Sequence, residues 1–108
     1  MNNTLVSILI PVYNRESIIS DTIESALNQT YDNIEIIIVD NCSEDNTYQI
    51  CREFQAKDSR VKVFKNQNNV GPVRNWIECL RKSNGEYVKF LWSDDLSTSK
   101  TKSELFFI

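Results

Sequence analysis

The chain has 108 residues, 41% hydrophobic and 25% charged, with a net charge of −3. This is the size and composition of one soluble domain with a single core. It lacks the basic footprint of a nucleic-acid binder, and no apolar run nears the ~20 residues of a membrane span.

In chain order, Val6-Ser7-Ile8-Leu9-Ile10-Pro11-Val12 is a short β-branched apolar run, expected to be a buried strand whose pairing Pro11 ends. From Glu16 to Gln29, Ile19, Ile23, Ala26 and Leu27 repeat at helical spacing, with Asn14 or Ser17 as candidate N-cap. Thr30-Tyr31-Asp32-Asn33 is a turn. Ile34-Glu35-Ile36-Ile37-Ile38-Val39 is almost wholly apolar, as befits a parallel strand covered on both faces. A polar loop, Asn41 to Asn46, leads to a helix over Thr47 to Ala56 with Ile50, Cys51 and Phe54 inward. Val61 to Phe64 is a short strand, and Asn66 to Asn69 a loop. Gly71-Pro72 opens a third helix, with Pro72 suited to its first turn. Its expected apolar face is Val73, Trp76, Ile77 and Leu80, and Asn84-Gly85 is its expected C-terminal stop. Tyr87 to Trp92 is a fourth strand, followed at once by Ser93-Asp94-Asp95.

The order βαβαβαβ predicts a Rossmann-like α/β fold: a mainly parallel four-stranded sheet with three flanking helices and right-handed crossovers. Met1-Asn2-Asn3-Thr4 carries no basic stretch, so no secretory leader is expected. Cys42, Cys51 and Cys79 are an odd number without a C-x-x-C pair, expected to be reduced thiols that pack as small side chains. Charge is uneven. Residues 1–56 hold two basic and nine acidic side chains, and residues 57–108 ten and six. Two solvated faces of opposite sign account for this, or a useful cluster of carboxylates in the first half.

Ligands of open α/β sheets bind beyond the carboxyl ends of the strands. Four segments fall there: Pro11 to Asn14, Asp40 to Asp45, Asn66 to Gly71, and Ser93 to Asp95. Two glycines leave no Gly-rich phosphate loop, and the lack of histidine removes every site built on imidazole. Asp94-Asp95 after a hydrophobic strand suits a hard divalent ion such as Mg²⁺ or Mn²⁺, which would neutralise a diphosphate. The same pair would also serve as a solvated acidic turn or helix cap. Tyr13 could stack on a flat base or simply pack at the surface. Asp40 could accept from a base N–H or a ribose hydroxyl, or cap the next helix through a turn. Arg74 could reach a phosphate or base edge, or stand as an exposed helix arginine.

Several stretches carry a resemblance. Val6 through Arg15 (VSILIPVYNR), Ser25 through Tyr31, and Glu35 through Thr47 resemble the inverting family 2 glycosyltransferases of GT-A fold. So do Asn69-Val70-Gly71, Gly85-Glu86-Tyr87 and Leu91-Trp92-Ser93-Asp94-Asp95, in order, from about Val6 to Asp95. The resemblance implies a nucleotide-sugar donor site, most simply for a UDP-sugar. Pro11 and Tyr13 would hold the base, Asp40 the base or ribose, and Arg74 the base or phosphates. Asp94 would face the ribose or sugar, and Asp95 would hold Mg²⁺ or Mn²⁺ on the diphosphate. The chemistry implied is single-displacement transfer to the hydroxyl of a sugar or glycolipid acceptor, in polysaccharide or glycoconjugate synthesis.

The family often has acidic residues where this chain has Asn41 and Trp92. Its domains are also considerably longer. Residues 1–95 are expected to be the donor half and residues 96–108 a truncated tail, with the general base and acceptor site beyond Ile108. Glu44 and Asp45 are poorly placed to deprotonate an acceptor. Expectations follow: no transfer by this chain alone, no nucleic-acid partner, and self-association through the fourth strand as a sheet edge. The expected location is the cytoplasm, with peripheral contact at a membrane surface as a variant. The alternatives are a nucleotide-binding remnant without turnover and a plain α/β interaction module.

Overall fold

The computed structural model describes residues 4–92 and the backbone of residues 103–107. The elements are β1 (Val6–Val12), α1 (Ile19–Leu27), β2 (Ile34–Asp40), α2 (Thr47–Lys57), β3 (Val61–Lys65), α3 (Pro72–Lys82), β4 (Tyr87–Leu91) and β5 (Ser103–Phe107). They form one sheet of order β3-β2-β1-β4-β5. The first four strands are parallel, as expected, and β5 runs antiparallel along β4.

The fifth strand changes one expectation. β4 is not a sheet edge, because Tyr87 to Leu91 pairs with Phe107 to Ser103 as well as with β1. The ground for expecting self-association there is removed.

Period-two alternation divides the core into two layers. Ile8, Ile10 and Val12 of β1 and Ile36 and Ile38 of β2 face α1 and α2, where Ile19, Ile23, Ala26 and Cys51 meet them. Leu9, Ile37 and Val39 point the other way, with Val88 and Phe90 of β4 and Cys79 of α3. Every residue of β2 is buried, Glu35 and Asp40 included, and the apolar run Ile36-Ile37-Ile38-Val39 between them is that of a strand covered on both faces.

Helix α3 overturns the sequence expectation. Val73, Trp76, Ile77 and Leu80 do share a face, but it is turned outward, at 38–56% exposure. The face against the sheet carries Asn75 and Cys79 instead. The reason is that Asn75 is drawn inward by hydrogen bonds: its Nδ2 donates to Val39 O (3.1 Å) and its Oδ1 accepts from Asn66 (2.8 Å).

Three local expectations also change. α1 starts at Ile19 without a side-chain cap, because Asn14 and its neighbours are engaged in a loop contact described below. Gly85 does not stop α3 through a left-handed turn; among the described glycines only Gly71 has positive φ (+88°). Gly85 is needed for close approach, since a Cβ there would lie 2.7 Å from Leu5 O and 2.8 Å from Ser7 N. Pro11 ends pairing on one side only. The ladder to β4 stops at Leu9–Phe90, while register with β2 continues to Val12–Asp40.

The three cysteines are free thiols. Burial, with the nearby Asp40 charge for Cys51, pushes Cys51 up to about 12, and burial does the same for Cys79. Neither is a nucleophile at neutral pH. Among the described residues no helix is long and apolar enough to cross a membrane.

Candidate functional site

Sequence-adjacent strands wind outward from β1 to β3, and the chain then returns across the sheet to place β4 on the other side of β1. The winding reverses between β1 and β4, the position where open α/β sheets form ligand crevices. Pro11 reinforces this, because the β1–β4 ladder stops before it. A cleft of about 300 Å³ opens there. Pro11, Val12 and Tyr13 line it from the end of β1, and Trp92 from the end of β4. Pro72, Asn75 and Trp76 come from α3, and Asn41 and Asn69 from the neighbouring loops. Arg15 supplies the cation among the described lining residues.

Two loops brace one side of the cleft. The Asn14 N–H donates to Ser43 Oγ (2.8 Å), and Asn14 Oδ1 accepts from the Glu44 N–H (2.8 Å). The Arg15 N–H donates to Thr47 Oγ1 (2.7 Å). Asp45 accepts from the Glu16 N–H (3.3 Å), and Glu16 accepts from the Asn46 N–H (2.9 Å). Asn14 and Cys42 adopt left-handed φ of 52° and 64° to make these turns. The Arg15 guanidinium is aimed back by contacts with the carbonyls of Tyr13 (3.2 Å) and Asn14 (3.1 Å).

The other side is braced by asparagines. Asn41, 3% exposed, donates to Asn69 Oδ1 (3.0 Å) and Gly71 O (3.3 Å). Its Oδ1 accepts from Asn66 (3.0 Å) and the Val70 N–H (3.0 Å). Asn69 also accepts from the Gly71 N–H (2.8 Å), and Gly71's positive φ turns the chain into α3. An uncharged network thus fixes the start of α3 against the end of β2.

The structure separates the residues singled out from sequence. Pro11 and Tyr13 line the cleft. Asp40 is fully buried beneath it, and both carboxylate oxygens accept from Ser43, one from its N–H (2.9 Å) and one from its hydroxyl. Arg74 is exposed on the first turn of α3 and is not among the lining residues. Asp94 and Asp95 lie outside the described residues. Among the described residues no cluster of three or more carboxylates and cysteines is close enough to hold a metal. Asp45 is committed to the Thr47 N–H (3.0 Å) and hydroxyl (2.6 Å); although its slight burial raises the carboxyl, these bonds and the Glu16 N–H hold it below its ordinary range.

Sequence reasoning gave no individual site role to Arg15, Asn41, Asn69, Asn75, Trp76 or Trp92, although Asn41 and Asn69 fall in segments it placed at the ligand end and Trp76 was assigned to the apolar face of the third helix. Arg15, Asn41 and Trp92 each closely follow or end a strand, which is a usable signal. Asn75 and Trp76 had none, because helical periodicity does not say which face turns inward.

Comparison with known proteins agrees with this geometry. The chain is 43% identical over 105 residues to WfaP of Escherichia coli, a UDP-Glc:alpha-D-GlcNAc-diphosphoundecaprenol beta-1,3-glucosyltransferase, covering 96% of this chain and 41% of that protein. It superimposes on the crystal structure of Staphylococcus aureus TarS 1-349 in complex with UDP-GlcNAc with a TM-score of 0.75 and 33% identity, over 82% of this chain and 26% of that one. The mannosyltransferase PcManGT of Pyrobaculum calidifontis, solved with GDP-Man and Mn²⁺, shares the fold at a TM-score of 0.77 and 22% identity, over 87% and 28%. The chain spans less than half the length of these proteins. Residues 7–106 match the family model of glycosyl transferase family 2. With its parallel sheet, its cleft at the β1–β4 reversal and this match, the chain belongs to glycosyl transferase family 2.

Proposed function

We propose that this chain carries the donor side of an inverting glycosyltransferase, which passes a sugar from a nucleoside diphosphate to an acceptor hydroxyl. The observation that carries the reading is the cleft at the β1–β4 reversal, with Tyr13 and Pro11 in its wall, in a family 2 chain. A UDP-sugar is the donor and a glycolipid the acceptor. The names of WfaP and of the TarS complex support that choice for relatives at 43% and 33% identity.

Residues 1–95 form the donor half in this reading. Tyr13 stacks on the base beside Pro11, Arg74 supports the base or phosphates, and Asp94 faces the ribose or sugar. Asp40 acts on the base or ribose through the Ser43 turn it organises, since both its oxygens are already engaged. Asp94 and Asp95 offer only carboxylate oxygens, the donor set of a hard cation. Asp95 would hold Mg²⁺ or Mn²⁺, which when bound neutralises charge on the diphosphate leaving group. Displacement at the anomeric carbon needs a carboxylate to take the acceptor proton, a contribution of about 10²–10⁴-fold. We assign that base and the acceptor site to the portion of the relatives that this chain does not span. Peripheral contact with a membrane follows if the acceptor is lipid-linked.

Calorimetric titration with UDP tests the reading. UDP binding is expected to strengthen with Mn²⁺, and Asp95→Ala to remove that strengthening. Tyr13→Ala is expected to weaken binding by ~1–3 kcal/mol, the range of a base stacked on an aromatic ring. The 108-residue chain alone is expected to transfer no sugar. Failure to bind UDP, or metal-independent binding indifferent to both substitutions, overturns the assignment.

A further inference from the structure

The amides that line the cleft are already engaged with the protein itself. Asn41 uses both of its N–H donors and both carbonyl lone pairs internally. Asn75 is 3% exposed and turned to Val39 and Asn66. Asn69 accepts from Asn41 and Gly71. A flat ligand entering the cleft therefore finds the amide oxygens of Asn41, Asn69 and Asn75 already accepting from the protein. Ring surface is the larger feature of the α3 wall.

That surface is organised. Trp92 lies flat on Phe90, with centroids 4.9 Å apart and planes 5° apart. Trp76 packs against Trp92 at 5.0 Å and a tilt of 58°. One face of Trp92 is thus covered by Phe90, and Trp76 is the outer ring of the stack. It is 38% exposed, lines the cleft, and packs on Trp92, which Phe90 backs in turn. Such backing lowers the entropy lost when a ring is used for stacking.

We propose that Trp76, backed by Trp92, stacks on the base of the bound nucleotide, so that the cleft holds its base by ring faces. This rests on the reading of the cleft as the donor site. It adds a residue of α3 that the strand-end pattern does not contain. It also explains why α3 turns a tryptophan away from the core while burying an asparagine: Asn75 sets the rotation that brings Trp76 to the cleft wall.

The chain has only two tryptophans, and both line the cleft, so intrinsic fluorescence reports on the site directly. The 108-residue chain is titrated with UDP, and separately with inorganic pyrophosphate, by emission and by calorimetry. UDP is expected to quench the emission and pyrophosphate to leave it unchanged. Trp76→Ala is expected to raise the Kd for UDP about 5- to 150-fold, the span of one base–aromatic stack. It should leave the Kd for pyrophosphate unchanged, and Trp76→Phe should restore most of the UDP affinity. Asn75 and Cys79, the residues that anchor α3, are untouched, and an unchanged thermal melt verifies the fold. If Trp76→Ala binds UDP as tightly as the parent chain, the inference is wrong and the donor-site reading stands, with Trp76 then belonging to the outward apolar face of α3. If the parent chain binds no UDP, the donor-site reading fails and takes this inference with it.

Discussion

The two ends of the sheet solve the same problem with opposite chemistry. At the amino ends of the strands one carboxylate, Glu35, collects the polar groups of three segments. The Ser7 hydroxyl (2.6 Å), the Asn84 N–H (2.6 Å) and amide (3.2 Å), and Lys62 Nζ (3.0 Å) all donate to it, and the Gly85 N–H donates on to Ser7 Oγ (2.8 Å). At the carboxyl ends the knot is neutral, made of Asn41, Asn66, Asn69 and Asn75. A buried charge saturated by donors is a rivet. A neutral network fixes loops just as firmly without adding a negative charge beside a cleft proposed to take a diphosphate. The α3 side of the candidate site is thus neutral and aromatic, while its carboxylates, Asp40 beneath the cleft and Asp45 in the opposite brace, are consumed by the Ser43 and Thr47 turns.

The largest effect should come from removing the rivet. Glu35→Ala leaves several donors buried without an acceptor and is expected to cost about 3 kcal/mol in chemical denaturation. UDP affinity of the folded protein should not change; a weakened affinity would mean that the two ends are coupled and the contrast is false. The same residue sets an acid dependence. Burial pushes the Glu35 carboxyl up, but the Ser7, Asn84 and Lys62 donors outweigh it and hold the group below its ordinary value of 4.5. A depressed folded-state value means that the stabilisation is complete above 4.5 and fades as pH falls through the lower folded-state value. Glu35→Gln is expected to flatten the acid limb of a stability–pH curve.

Next in size is Asn41→Ala, which removes the centre of the neutral network. It is expected to cost about 2 kcal/mol of stability and, unlike Glu35→Ala, to weaken UDP binding by loosening the Asn69–Gly71 turn. Stability loss with unchanged affinity would place the network outside the site. The smallest effect is expected for Gly71→Ala, about 1 kcal/mol, because a Cβ there meets nothing but the backbone must keep φ +88°. Gly85→Ala should cost more, since its Cβ would strike the backbone of Leu5 and Ser7. Reversal of that order in thermal melts would refute the distinction between the two glycines.

Much of the fold was legible in the chain. The largely apolar runs of β1 and β2, the helical spacing of Ile19, Ile23 and Ala26, and the alternation of elements state a parallel α/β sheet. They do so because parallel strands must be covered on both faces and right-handed crossovers leave few topologies. Strand-end position also singled out Pro11 and Tyr13, which line the cleft. It did not separate Asp40, which the Ser43 turn consumes, from residues that line the cleft. β5 escaped notice because an antiparallel edge strand of five residues, Ser103-Glu104-Leu105-Phe106-Phe107, has no long pattern of its own.

The amino-acid sequence by itself determined the class of fold, the order of the first seven elements and the end of the sheet that carries the candidate cleft, since these follow from local periodicity and chain connectivity. Tertiary structure alone decided the rotation of α3. Val73, Trp76, Ile77 and Leu80 define a stripe whichever way it faces, and hydrophobicity alone would turn it inward. The buried carbonyl of Val39 and the amide of Asn66 require partners, Asn75 supplies them, and satisfying those polar groups against the sheet turns the apolar stripe, with Trp76, to the outside.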